Sequence, residues 1–271
     1  MVKYNALIFA GYSEKDDVIC NQEGVQRKAF VQLGDKTFLE RIVKEVHKCD
    51  KIKDIYITGL AESEWNTDVP VIFNEDSGSV FTKGKNIYYK FLQDKGKRAE
   101  TCVFLTSDIP LITAEILTRF IEKCETISEG EIDGMFYYSI VQREQMESKF
   151  PNSNRSFVEF KDNFEVCGGD ISIINIRMIL QHEKLMTKLI EKRKNALAQL
   201  LVLNPILVVR FLLKRLTLDK FMRSLSKNVF KAKEGVYAVI TEDAEIAMDV
   251  DKTHQLEEVR RYYEENKELY D

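Results

Sequence analysis

Short apolar runs alternate along the first half of the chain with segments in which apolar residues recur every three to four positions. Uninterrupted apolar runs predict strands that are buried on both faces, and the 3.6-residue period predicts amphipathic helices. The predicted strands cover residues 4–10, 55–58, 69–73 and 102–106. Because strands and helices alternate, we expect a three-layer α/β fold with a doubly wound, mostly parallel sheet.

Residues that cap helices or break strands set several expected boundaries. Thr37 and Thr113 each precede an amphipathic segment and are expected to cap a helix, and a third helix is expected over residues 79–95. Pro70 cannot donate a ladder hydrogen bond, so the strand that contains it is expected at a sheet edge. Residues 12–26 are predicted to form a long polar connection.

In the second half of the chain, the predicted strands and helices no longer alternate regularly. The predicted elements are a strand at 135–141, a helix at 142–149, a hairpin of 156–160 with 164–167, a strand at 171–175, basic helices over 184–233, a strand at 236–240 and a helix at 252–268. Pro205 after Asn204 predicts two helices joined at Asn204. We therefore expect an α/β domain of residues 1–183 and 234–271 with a helical insert, residues 184–233.

Asp108 follows the apolar run Cys102–Thr106 and stands two residues before Pro110. Pro110 must end the strand, so Asp108 is expected at the carboxyl end of a strand, where open α/β sheets bind ligands. A carboxylate there can hold a Mg²⁺ that carries nucleotide phosphates. The alternative is that Asp108 caps the next helix or fixes a turn.

Three further groups of residues are candidates for a site. Gly11 ends the first predicted strand, and Arg27 and Lys28 follow downstream, which is an arrangement that can cradle phosphates. A solvated basic pair is the alternative for Arg27 and Lys28. Residues 249–251, Asp-Val-Asp, offer two carboxylates, although Asp251 could instead cap the last helix. Residues 168–170, Gly-Gly-Asp, could place backbone against a substrate or form a strand-entry turn.

The order of these motifs resembles the MobA-like NTP transferases, relatives of the molybdenum-cofactor guanylyltransferases with a GT-A-type fold. The resemblance is carried by residues 5–43 and 103–113, covers 4–175 and resumes at 236–262. The chain is similar to a subfamily that is not typical of the guanylyltransferases, through residues 147–151, Arg155, residues 168–170 and the basic helical insert.

The resemblance implies roles for individual residues. For the nucleotide, Gly11 would belong to the phosphate loop with Arg27 beside it, Lys28 would contact the phosphates, and Asn74 and Gly78 would lie near base and ribose. For the metal, Asp108 would bind Mg²⁺, and Asp249 and Asp251 fall where related enzymes place a second metal ligand. Lys28 and Asp108 would then be the catalytic residues.

One departure from the family pattern concerns the phosphate loop. The family has a compact glycine-rich loop, whereas here Gly11 is followed by Tyr12 and an acidic insertion before Lys28. Glycine lets the backbone approach a phosphate closely, and tyrosine does so at a higher cost. Either the longer loop folds over the nucleotide differently or the protein is a weakened member of the family.

These residues predict a Mg²⁺-dependent nucleotidyltransferase that moves NMP from an NTP to a phosphorylated acceptor and releases pyrophosphate. The Asp-Val-Asp sequence at 249–251 leaves a second interpretation open, a GT-A-type glycosyltransferase that uses a nucleotide-sugar. A third is a nucleotide-binding protein that kept the fold without catalysis.

The distribution of charge and the cysteine content limit which binding partners and which compartment are expected. The formal net charge is −4, yet residues 184–233 carry thirteen lysines and arginines against two acidic residues. This basic segment predicts a helical subdomain with a solvated rim, or a peripheral membrane contact that handles a lipid-linked acceptor. Nucleic acid is disfavoured because Phe211, Phe221 and Phe230 occupy core-like positions. Five scattered cysteines predict reduced thiols in a cytoplasmic protein, membrane-peripheral if the insert contacts lipid.

Overall fold

The computed structural model describes residues 2–12, 17–75, 78–93, 95–192 and 196–270. Within these residues, eight strands form one sheet with helices on both faces, so the predicted three-layer α/β fold is confirmed. The strands of the sheet are β1 (Tyr4–Phe9), β4 (Ile52–Thr58), β5 (Ile72–Asn74), β6 (Thr101–Thr106), β7 (Phe136–Gln142), β8 (Val158–Phe160), β9 (Phe164–Asn175) and β10 (Val236–Thr241). A separate hairpin joins β2 (Gln32–Leu33) to β3 (Lys36–Thr37).

The strand order is β10-β7-β9-β6-β1-β4-β5, and β8 pairs with β9. Strands β6, β1, β4 and β5 run parallel, whereas β9 is antiparallel to both β6 and β7. The carboxyl ends of β6, β1, β4 and β5 therefore meet at one edge of the sheet, and β9 enters beside β6 from the opposite direction.

The helices connect the strands along both faces. They are α1 (Asp17–Glu23), α2 (Phe38–Lys48), α3 (Val80–Ile87), α4 (Lys97–Glu100), α5 (Ala114–Ile127), α6 (Arg143–Lys149), α7 (Ile176–Leu180), α8 (Glu183–Glu191), α9 (Ala196–Leu203), α10 (Pro205–Leu212), α11 (Leu218–Val229) and α12 (Thr253–Glu265).

Strand β1 shows how its sequence fills two cores. Side chains alternate across a strand, and Ala6 and Ile8 pack in one core with the apolar faces of α2 and α5. Leu7 packs on the other face with Ile87 and Ile176 from the helices on that side. An apolar run without polar interruption is therefore what this central strand needs.

Two predicted helix caps and one predicted helix junction are confirmed. The Thr37 hydroxyl accepts a hydrogen bond from the Glu40 N–H at 3.2 Å while the Glu40 carboxylate accepts from the Thr37 N–H at 2.7 Å, which makes a capping box. Thr113 accepts from Ile116 N–H at the start of α5. Asn204 caps α10, with Pro205 in its first turn, so the predicted break at Asn204 is present.

Two predicted boundaries were wrong. The third strand is Ile72–Asn74 and does not start at residue 69, because Pro70 cannot pair and pairing with β4 begins only beyond it. It does lie at the edge of the sheet, as predicted. The helix expected over 79–95 is α-helical only to Ile87 and continues as a π-helix over Tyr88–Leu92, and Asp94 lies outside the described residues.

Two other segments also differ from expectation. Residues 168–170 lie inside the twelve-residue strand β9, so the strand-entry turn was wrong. The connection predicted over residues 12–26 contains helix α1, because Ile19 is fully buried against Val31 and Phe38 in a second core. One apolar side chain in a polar segment is a weak sequence signal, although it anchors this helix.

The basic segment folds as helices α8 to α11. Leu200, Leu207 and Met222 from these helices pack in one cluster with Ile140 and Val166 of the sheet. None of the helices in the described part of the chain is long and apolar enough to cross a membrane. The segment therefore packs at least one apolar face onto the β7–β9 surface.

Candidate functional site

Asp108 lies just beyond the carboxyl end of β6, at the centre of the sheet. The chain is held there because Ser107 N–H donates to the Phe9 carbonyl at 3.0 Å. One carboxylate oxygen, Oδ2, accepts from Lys28 Nζ at 2.7 Å, while Oδ1 is buried without a hydrogen-bond partner. A buried carboxylate oxygen without a donor is costly unless another positive group satisfies it.

The segment Asp249–Asp251 reaches Asp108 from the other end of the chain. Val250 is fully buried, and its N–H donates to the Asp108 carbonyl at 3.0 Å. Oxygens of Asp108, Asp249 and Asp251 lie within 4.8 Å of one another. The N-cap of α12 is Lys252, so the alternative in which Asp251 caps the last helix was wrong. The structure thus brings Asp108 together with Asp249 and Asp251, which follow it about 140 residues later in the sequence.

Lys28 joins two members of this carboxylate cluster. It starts a short 3₁₀ turn, Lys28–Phe30, and its Nζ donates to Asp108 and to Asp251, each at 2.7 Å. Burial lowers the pKa of Lys28, but the two carboxylates outweigh burial and hold it above its ordinary value. Lys28 is therefore a fixed positive charge that balances carboxylate charge within the protein.

The cluster fits a magnesium ion. Mg²⁺ prefers oxygen ligands and is commonly held by one or two carboxylates together with substrate phosphates and water. Asp108 supplies a buried oxygen without a donor, and Asp249 and Asp251 supply the neighbouring oxygens. Among the described residues, these are the ones that would hold the ion, with Lys28 beside them.

Arg155 and Asp170 extend the charged site towards β9. The Arg155 guanidinium forms an ion pair with Asp249, donates to the Gly168 carbonyl at 3.0 Å and lies 4.0 Å from the Asp170 carboxylate. Burial and the charge of Asp108 raise the pKa of Asp170 to about 7, and Arg155 only partly offsets this rise. The sequence suggested only a backbone role for residues 168–170 and gave Arg155 no role in the site, because the pairing of β9 with β6 and the ion pairs of Arg155 bring these side chains near Asp108.

The raised pKa of Asp170 predicts a pH-dependent stability difference. An aspartate in an unfolded chain titrates near pH 4, so between about pH 4 and about pH 7 the folded protein holds a proton that the unfolded chain releases. The stability contributed by this proton is lost as the pH rises through about 7. Asp170→Asn in EDTA should therefore gain melting temperature relative to wild type as the pH rises from about 5 to about 8.

The control is the exposed Asp68→Asn, for which the difference should not change with pH. A difference for Asp170→Asn that stays flat, or falls, over the same range would contradict the raised pKa.

A second positive group lies at the ends of β1 and β4. Lys83, in the first turn of α3, is buried, and its Nζ lies 2.1 Å from where a Cβ on Gly11 would stand and 2.7 Å from one on Gly59. Glycine at both positions therefore makes room for an ammonium group against the backbone. Lys83 was not among the residues predicted from the sequence, although a lysine four residues after the cap Ser79 is a signal for a phosphate site at a helix start.

The remaining predicted nucleotide residues lie around this glycine pair. Arg27 donates to the Gly59 carbonyl at 3.0 Å and to Glu64 at 2.6 Å. Gly78 directly precedes the cap of α3 and has a φ of +121°. Asn74 is buried, and its side chain bonds to Thr58 and Lys90, so the structure does not aim that side chain at the carboxylate cluster.

The model of one protein family, the MobA-like NTP transferase domain, matches residues 10–138. This part of the chain is a MobA-like NTP transferase domain. Gly11, Lys28, Lys83 and Asp108 all fall within it. Arg155, Asp170 and the two later aspartates lie outside the matched residues, so the carboxylate cluster is completed by the rest of the chain.

Solved structures of this fold resemble the chain over nearly its whole length. A hypothetical transferase from Thermus thermophilus is 19% identical, with a TM-score of 0.75, covering 94% of this chain and 100% of its own. CMP:2-keto-3-deoxy-manno-octonic acid synthetase complexed with CTP is 10% identical, with a TM-score of 0.59 and coverage of 97% and 99%. 4-diphosphocytidyl-2C-methyl-D-erythritol synthase from Anaerococcus prevotii is 10% identical, with a TM-score of 0.52 and coverage of 97% and 96%. A search of curated proteins found no match.

Gly59 in the MobA-like domain predicts a large backbone effect. It has a φ of +86°, and a Cβ there would stand 2.7 Å from the Gly11 Cα, which is backbone and cannot move aside. Gly59→Ala should therefore lower the free energy of unfolding by about 3 kcal/mol, combining the strain of a positive φ with displacement of β1. Urea unfolding measures this.

Gly24→Ala is the matched control, because Gly24 has a φ of +65° but no atom within 4 Å of the position that a Cβ would take. It should cost about 1 kcal/mol, from conformation alone. Equal losses in the two variants would show that the close approach of Gly59 to Gly11 does not matter.

Proposed function

We propose that the protein is a Mg²⁺-dependent nucleotidyltransferase that moves NMP from an NTP to a phosphorylated acceptor and releases pyrophosphate. The observation that carries the proposal is the convergence of Asp108, Asp249 and Asp251, with Lys28 bonded to the first and the last of them. Carboxylates can hold a metal ion, and Lys83 beside Gly11 and Gly59 can bind phosphate oxygens, so the two groups together suit a metal-bound triphosphate.

The two sides of the cluster support different substrates. Gly11, Gly59 and Lys83 lie at the ends of β1 and β4, and we assign the triphosphate to this side. Arg155 and Asp170 lie on the β9 side, and we assign the acceptor phosphate to Arg155. Strand β6 stands between the two sides, so Asp108 would face the reacting phosphorus.

The reaction joins an acceptor phosphate oxygen to the α-phosphorus of the NTP. The bond from that phosphorus to the bridging oxygen of the β-phosphate breaks, and pyrophosphate leaves with the bonding electrons. A bound Mg²⁺ supplies charge neutralisation on the phosphate oxygens as the bond breaks. Lys28 and Lys83 hold positive charge against the triphosphate, Arg155 orients the attacking phosphate, and the protein thereby acts through positioning and electrostatics.

Thermal denaturation with nucleotides tests the binding half of this proposal. ATP, CTP, GTP, UTP and dTTP are each added with Mg²⁺ or with EDTA, with CTP tried first because one solved relative of this fold is complexed with it. A nucleotide at about one hundred times its dissociation constant stabilises a protein by about 2.7 kcal/mol. We expect one nucleotide to stabilise only with Mg²⁺, and stabilisation by none of the five would contradict the proposal.

Nucleotide-sugars in the same panel distinguish the glycosyltransferase interpretation. Stabilisation by a UDP-sugar or GDP-sugar, with none by any triphosphate, would favour sugar transfer from the cluster that includes Asp249 and Asp251.

A further inference from the structure

An apolar cavity of about 240 Å³ lies between the β7–β9 surface of the sheet and helices α9, α10 and α11. No charged residue is among the described residues that line it, which include Val158, Phe160, Leu200, Phe211, Leu218 and Phe221. Phe211, Leu218 and Phe221 are partly exposed, so the cavity reaches the surface. A well-packed core has few spaces of this size, since every lining atom loses contacts there.

The cavity meets the charged site at Gly168. Gly168 is one of the lining residues, and its carbonyl accepts the hydrogen bond from Arg155, which pairs with Asp249. Gly168 and Asp170 lie two positions apart on β9, so they share one face of the strand. A molecule with its phosphate at Arg155 could therefore run past Gly168 into the apolar space.

Gly168 also makes room for Tyr138. A Cβ at this position would stand 2.0 Å from the Tyr138 hydroxyl, another group that lines the cavity. The absence of a side chain at Gly168 therefore lets the Tyr138 side chain lie against the β9 backbone, where the cavity meets the charged site.

We infer that the acceptor is a phosphorylated amphiphile, a phosphate monoester whose hydrocarbon chain lies in this cavity. The inference rests on the proposed nucleotidyl transfer and names its acceptor class. A water in the liquid takes about 30 Å³, so the cavity has room for about eight heavy atoms. A longer chain would emerge between Phe211 and Leu218, which are both partly exposed.

The outward face of α9 and α10 matches such a substrate. Leu201, Ile206, Val209, Leu212 and Leu213 are each more than half exposed. Exposed basic residues accompany them on the same helices and beyond, at Arg210, Lys214, Arg215 and Lys220. Apolar side chains edged by cations suit the anionic surface from which a phosphorylated amphiphile would be drawn.

Calorimetric titration with octyl phosphate and ethyl phosphate tests the inference, with Mg²⁺ and the stabilising nucleotide in its non-hydrolysable form. Each buried methylene tightens binding by a factor of about four. We expect the wild type to bind octyl phosphate at least ten times more tightly than ethyl phosphate. If octyl phosphate and ethyl phosphate bind with equal affinity to protein that the nucleotide still stabilises, the inference of an amphiphilic acceptor is overturned. The transferase proposal would then still stand.

Two variants that introduce a charge test whether the hydrocarbon chain of the acceptor lies in the cavity. Leu218→Glu and Phe211→Glu each place a carboxylate at the mouth of the cavity, and both should reduce the octyl preference to threefold or less. Ile206→Glu is the matched control, because Ile206 is exposed on α10 and does not line the cavity. An octyl preference that persists in either mouth variant, with nucleotide stabilisation intact, would overturn the inference.

Vesicles of phosphatidylcholine, with and without phosphatidic acid, identify the source of the amphiphile. Cosedimentation that needs phosphatidic acid and is lost in Leu218→Glu supports the inference with a membrane lipid as acceptor. Octyl phosphate binding without cosedimentation supports it with a soluble amphiphile. If wild-type protein binds neither octyl phosphate nor these vesicles yet responds to nucleotide, the cavity has no part in acceptor binding.

Discussion

Asp108→Asn is expected to lower the rate of nucleotidyl transfer by about a thousandfold or more, because a metal-holding carboxylate contributes several kcal/mol to the transition state. An amide keeps the shape but loses the charge and one of the oxygens, in a group whose Oδ1 is buried without a donor. The fold should persist, since Lys28 keeps Asp251 as a partner. Pyrophosphate release, measured over a range of Mg²⁺ concentrations, gives the change.

Asp68→Asn, in the exposed loop before β5, makes the same chemical change away from the cluster and should leave the rate unaltered. A rate for Asp108→Asn within tenfold of wild type would mean that Asp108 does not hold the reacting metal.

Lys28→Met is expected to destabilise the protein in EDTA by about 3 kcal/mol and by much less in Mg²⁺. Removing one partner of a buried ion pair leaves the other charge uncompensated, which costs about 3 to 5 kcal/mol. The Lys28 side chain is 9% exposed and that of Asp108 17%, whereas Asp251 is more than half exposed, so the low end applies. Melting curves with EDTA and with Mg²⁺ measure both values.

The reason for the difference is that Mg²⁺ brings positive charge to the same carboxylates. Lys36→Met is the matched control, since its partner Asp35 is largely exposed and such surface pairs contribute about 1 kcal/mol or less. A loss for Lys28→Met that is equal in EDTA and Mg²⁺ would show that metal and lysine do not share these carboxylates.

The sequence was sufficient for features that depend on local patterning. Apolar runs marked the central strands, and Thr37 and Thr113 were recognised as caps because each cap uses a side chain and an N–H a few residues apart. Pro205 marked the junction of two helices at Asn204. The position of Asp108 beyond its strand followed from Pro110 in the same way.

Features that depend on contacts between distant segments were not predictable. Lys83 became part of the site only because α3 lies over the loops after β1 and β4. Arg155 and Asp170 approach Asp108 because β9 inserts antiparallel beside β6, and no periodic pattern specifies a strand's neighbour. Helix α1 was missed for a related reason, since Ile19 is buried by packing against residues that follow it.

The departure from the family's glycine-rich loop can be related to the positions of Gly11, Tyr12 and Gly59. Tyr12 is half exposed, and Gly11 faces Lys83 rather than a second loop glycine. Gly59, from the next strand, provides the second close backbone position. Glycines that follow two neighbouring strands thus approach each other closely, and residues 13–16 lie outside the described residues.

The most direct measurement follows radioactive phosphate from the nucleotide that stabilises the protein. One sample of this nucleotide is labelled at the α-phosphate and another at the γ-phosphate. Each is incubated with the protein, Mg²⁺ and a mixture of sugar phosphates, polyol phosphates and octyl phosphate. Nucleotidyl transfer predicts that α-label enters an organic product while γ-label leaves in an equal amount of pyrophosphate, and that Asp108→Asn abolishes both. Transfer of γ-label to an acceptor, or nucleotide binding with no label transfer from either position, would contradict it.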